Sequence, residues 1–129
     1  MHSAEINVPA GTMMHDFMIT RDHAIFMDLP VVFDLSNLEA PLKWDDNYGA
    51  RIGIMPRMGT NADIRWFEVD PCYVFHPMNA YEDGESIVLD VSRFKKLAFS
   101  PQDGEGTPAR LHRWVIDRKA GKVREQPLD

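Results

Sequence analysis

Cys72-Tyr73-Val74-Phe75-His76-Pro77-Met78-Asn79-Ala80-Tyr81-Glu82-Asp83 is a strand-like apolar run that meets a histidine and then a proline. Proline cannot donate to a sheet ladder, so pairing is expected to stop or bulge at His76. That leaves the imidazole at a strand end, where side chains from several elements converge. Working outward, Met13-Met14-His15-Asp16-Phe17-Met18-Ile19-Thr20 has the same design at its start: a polar approach, a histidine, then a strand. His15 and His76 stand 61 positions apart. The spacing is too long for a helical metal motif but fits equivalent places in neighbouring sheets.

The rest of the chain is punctuated in the same way. His15, Phe17 and Ile19 alternate with Asp16, Met18 and Thr20, and Arg21-Asp22 turns that run into Ala24–Leu29, which predicts a hairpin. Pro30 stops the pairing, and Val31–Phe33 extends it briefly. Residues 34–50 read as a long loop with one helical turn near 35–39, of the length at which function or insertions collect. Strands are expected over 50–57, 64–69, 73–75, 86–91, 109–117 and 122–124, with Asp83-Gly84 and Lys119-Ala120-Gly121 as turns. Seven or eight short strands with almost no helical periodicity make the chain all-β. A β-sandwich and a segment of β-propeller both fit, and no internal repeat chooses between them.

Composition narrows the function classes. A chain of 129 residues, 44% hydrophobic, is one domain (1–129) with room for a core. A net charge of −6, with Lys and Arg dispersed, argues against nucleic acid as partner. Cys72 is the single cysteine, so no intrachain disulfide forms and a reducing cytoplasm suits the chain. There is no transmembrane-length apolar run, and Met1–Glu5 lacks the charged-then-apolar order of a signal peptide.

Most other features have plain readings. Cys72 has no activating base near it in sequence and reads as a small buried residue. Trp44, Trp66 and Trp114 read as packing residues. Gly53 and Gly59 only approximate a phosphate loop, and Thr60 follows where a Lys-Ser/Thr pair is required. Asp45-Asp46-Asn47 lacks the downstream glutamate of a calcium loop. Glu82, ahead of Asp83-Gly84, reads as a solvated turn residue.

Four strings stand together: Met14–Thr20, Ala24–Pro30, Arg65-Trp66-Phe67-Glu68 and Val74–Glu82. In this order they resemble the carotenoid cleavage oxygenase family, which includes carotenoid dioxygenases, lignostilbene dioxygenases and the retinoid isomerase of the eye. The resemblance runs from about Thr12 to Asp129. It implies about two blades of a seven-bladed β-propeller, with a non-haem Fe(II) held by four histidines and backed by glutamates. His15 matches the family's second ligand and His76 its third. The first is expected ahead of Met1, and the fourth, with the glutamate of a Glu-Phe-Pro motif, beyond Asp129. His2, His23 and His112 match neither motif.

The implied reaction is O₂-dependent cleavage of a conjugated C=C bond in an apolar polyene, giving two carbonyl products. The substrate-tunnel candidates are Phe17, Met18, Phe75, Met78 and Tyr81. A lignostilbene substrate stays open, as does peripheral membrane contact in the full-length enzyme. The alternative is a non-catalytic β-module that binds no iron and packs with other propeller segments. In either case open strand edges favour self-association.

Overall fold

A computed structural model describes all residues, 1–129. It contains ten strands and no α-helix. The first four-stranded sheet comprises β1 (Met18–Ile19), β2 (His23–Asp28), β5 (Arg51–Pro56) and β6 (Arg65–Glu68), neighbours in that order. The second comprises β7 (Tyr73–Asp83), β8 (Ser86–Phe94), β9 (Ala109–Asp117) and β10 (Lys122–Pro127), again in chain order. Every pairing is antiparallel. Each sheet is therefore a meander that runs from one edge to the other without crossing over. A Greek-key sandwich requires such a crossing, and a propeller blade does not.

The remaining strands, β3 (Val31–Phe33) and β4 (Leu42–Trp44), form a small hairpin between β2 and β5. Sequence reasoning expected a long loop with a helical turn here. Val31 and Trp44 are buried partners, and that burial pulls the two ends of the segment into register; the stretch between them has turns but no helix. Strand β1 is also shorter than expected. Backbone pairing with β2 starts only at Met18↔Ile25, and His15 lies in the extended approach to it.

Alternation in the strands builds the core. Ile25 and Met27 face Ile54 and Ile52 across β2 and β5, while Leu89 faces Trp114 and Ile87 faces Ile116 across β8 and β9. These side chains join Met18, Phe67 and Tyr73 in one buried cluster between the sheets. On the opposite face of the first sheet, Asp28 is fully buried, and its charge is compensated. It accepts hydrogen bonds from Thr12 Oγ1 (3.0 Å), Tyr48 Oη (2.9 Å) and Arg51 Nε (2.9 Å). The Arg51 guanidinium also stacks 3.8 Å over the Trp66 ring.

Strand β7 bulges around His76, the second of the two expected outcomes, and runs longer than expected. Pairing with β8 does not end at His76; it slips between Val74 and Pro77 and again between Pro77 and Asn79, then continues to Asp83↔Ser86. The missing N–H of Pro77 is absorbed by bulges instead of terminating the strand. His76 consequently sits within a long bent strand, not at a strand end.

Candidate metal centre

The first strands of the two sheets, β1 and β7, lie against each other. The approach to β1 is pinned to β7 at two points. Tyr73 Oη donates to the carbonyl of Met13 (2.8 Å), and His15 Nδ1 lies 3.2 Å from the carbonyl of Phe75. Burial pushes the Tyr73 phenol up to about 12, so it stays a neutral donor. This clamp brings His15 to His76, with ring centroids 5.1 Å apart and planes nearly perpendicular (89°). Phe75 packs edge-on against His15 and against Tyr73 and Phe94, which gives the pair an apolar backing.

The His15 bond bears on its chemistry. A carbonyl only accepts, so the proton resides on Nδ1 and the Nε2 lone pair is left free. A histidine that ligates a metal through Nε2 characteristically has its other ring nitrogen held in this way. Both imidazoles are exposed on the open side of β1 and β7. No group of three or more His, Cys, Asp or Glu side chains is close enough to hold a metal ion. The donor set that fits a metal here is two neutral imidazoles, an incomplete coordination sphere.

The apolar residues singled out from sequence divide into two sets. Phe17 (49% exposed), in the approach to β1 that carries His15, and Met78 (59%) and Tyr81 (39%), on β7 with His76, are open to solvent. Phe75 is half-buried behind them. Met18 is in the core, on the other side of its strand from Phe17 and Ile19, so it presents nothing to the open side.

Glu82 is not a solvated turn residue. It lies within β7 and pairs with His23 Nδ1 of β2. Arg118 Nη1 lies 3.2 Å from His23 Nε2, and its other nitrogens reach the carbonyls of Gly84 and Glu85. The cluster ties the two sheets together at the end remote from His15. The three residues come from three separate elements, so no local spacing foretold it.

The family model described as retinal pigment epithelial membrane protein matches residues 1–129. A carotenoid cleavage oxygenase of Mycobacterium tuberculosis is 31% identical over 175 residues, covering 98% of this chain and 35% of that protein. Isoeugenol monooxygenase of Pseudomonas putida is 36% identical over 130 residues, covering 93% of this chain and 27% of the enzyme. Among solved structures, cobalt-substituted apocarotenoid oxygenase of Synechocystis superposes with a TM-score of 0.76 at 28% identity, over 90% of this chain and 27% of that one. The chain thus spans about a third or less of the length of the relatives it matches.

Proposed function

Because this chain belongs to the retinal pigment epithelial membrane protein family, we propose that it is part of a metal-dependent oxygenase and supplies two of the metal's histidine ligands, His15 and His76. Its two meanders are two blades of the seven-bladed propeller found in its structural neighbours. The observation that carries the reading is the pairing of these histidines. They come from opposite halves of the chain, meet ring to ring where the first strands of the blades converge, and one is already held in the tautomer that leaves Nε2 free.

The metal is non-haem Fe(II), which suits neutral imidazole ligands with open positions. When bound it supplies the redox centre for O₂-dependent cleavage of a conjugated C=C bond. The chain's own contribution is positional. The Tyr73–Met13 and His15–Phe75 bonds fix one imidazole against the other, and the aromatic backing excludes water from one side of the pair. Phe17, Met78 and Tyr81 give the open side an apolar surface, which favours a polyene or a comparably apolar stilbene over a charged substrate. Carotenoids and apocarotenoids are the proposed substrates. No helix of the chain is long and apolar enough to cross a membrane.

Anaerobic titration with Co(II), followed through the imidazole NMR signals, tests the ligand assignment. His15 and His76 should broaden first and together, and His15→Ala or His76→Ala should abolish the effect on the remaining partner. Fe(II) loading should show the same dependence. Broadening centred on His2, His23 or His112 instead, or an unchanged response in both variants, would remove the assignment.

A further inference from the structure

A cavity of about 530 Å³ opens on the second sheet, at the end where Arg93 pairs with Val74, and is lined by residues of β8, β9 and β10 and by Asp70 of the link between the sheets. Arg93 of β8 lines it and is only 9% exposed. Its Nε is sealed from solvent with no acceptor, and Nη2 has only the carbonyl of Pro71, at 3.5 Å. Lys95 and Arg110 flank the opening and are exposed. No carboxylate lies within ion-pair distance of any of the three cations.

The acidic groups on the wall, Glu125 and Asp70, form no ion pair with the three cations and leave the lining with a surplus of positive charge. Both oxygens of Glu125 are committed, Oε1 to Trp114 Nε1 (2.7 Å) and His112 Nε2 (2.9 Å), Oε2 to the Asp70 N–H (3.3 Å). Cys72 abuts Arg93, but burial pushes its thiol up to about 12, against the pull of the guanidinium, so it remains neutral. Asp70 shares the cavity wall without pairing with a cation. A buried guanidinium with one long hydrogen bond is costly unless an anion completes it.

We propose that this cavity binds a small oxyanion, a carboxylate- or phosphate-bearing molecule, held against Arg93 by Lys95 and Arg110. The volume is that of a small-molecule pocket. The planar fork of arginine donates to two oxygens of either group, and the two exposed cations add charge at the mouth. Neither His15 nor His76 lines the cavity, and the proposal does not depend on the oxygenase reading.

The Arg93 Nε–H signal of the ¹⁵N-labelled 129-residue chain reads the site directly. Sodium phosphate and sodium succinate are titrated separately, with chloride holding ionic strength constant. A saturable shift is expected with at least one anion, and its midpoint should weaken about tenfold in Lys95→Ala and in Arg110→Ala, from loss of a charge-assisted bond. Both substituted side chains are exposed, so the fold should persist, as the remaining amide spectrum reports. A response to phosphate alone identifies a phosphate-bearing ligand, and a response to succinate alone a carboxylate. An Arg93 signal unmoved by either anion, or one that moves equally in both variants, overturns the proposal.

Discussion

Glu125 shows how a single carboxylate fixes a local structure. Burial alone would raise its pKa, but the hydrogen bonds from Trp114, His112 and the Asp70 N–H outweigh burial and hold it below the usual carboxylate range. A carboxyl whose folded pKa is depressed stabilises the fold above its unfolded value. That contribution is lost as pH falls from about 4.3 through the lower folded value. Glu125→Gln should therefore lower stability at neutral pH by roughly 1–2 kcal/mol, through weaker acceptance from the fully buried Trp114 indole. It should also flatten the acid limb, so that the urea midpoints of parent and variant converge as pH falls below about 4.3. Parallel limbs would show that Glu125 is not the titrating group. None of this was legible beforehand, because Glu125 and Trp114 meet only through the β9–β10 register. Glu82 is hidden for the same reason: its partner His23 is 59 positions away, and a Glu-Asp-Gly string looks like a turn from inside the sequence.

At the scale of elements, alternation and turn residues were sufficient to place most strands, since each is a local pattern. The β3–β4 hairpin and the continuation of β7 past Pro77 were not, since both depend on a partner strand that accommodates the segment. Strand β5 depends on such a partner too. Gly53 lies between Phe26 and Trp66 in the ladder, and a Cβ placed there would be 2.7 Å from Cζ3 of the Trp66 ring. That ring carries Arg51, whose Nε holds the buried Asp28. Gly53→Ala must move the indole and loosen the charge network behind it. A loss of about 1–3 kcal/mol in urea unfolding is expected, the range for overpacking a fitted site. Unchanged stability would mean that the indole has room to swing away and that its contact with Arg51 contributes little. In sequence Gly53 is only half of a failed phosphate-loop pattern; its packing role follows from Trp66 being its cross-strand neighbour.

At the scale of the whole molecule, the two blades leave several strand edges uncovered, and those edges are not equivalent. The outer edge of the second sheet, β10, carries Lys122, Arg124 and Glu125 and ends at Pro127. The outer edge of the first, β6, begins with Arg65 and ends with Glu68. Charges and proline at an edge discourage pairing with another chain. Strand β7 is different: it is eleven residues long, pairs only with β8, and bears exposed Met78 and Tyr81, the latter lining one surface hollow with the exposed Ile19 of the neighbouring sheet. Pro77 and its bulges blunt the first half of this edge, but Asn79–Asp83 remain regularly paired to β8 and open on the other side. Association of the 129-residue chain should therefore proceed through β7 and the apolar side chains around the histidine pair. Sedimentation equilibrium should show an average mass that rises over the micromolar to millimolar range, where exposed apolar edges associate. Ile19→Lys combined with Met78→Lys should return the chain to a monomer with unchanged secondary structure, because both side chains are already solvent-exposed. A parent chain that stays monomeric throughout would show that the Pro77 bulges alone protect this edge. A double variant that still associates would move the contact to the charged outer strands, and the apolar surface around His15 and His76 would then be free for substrate.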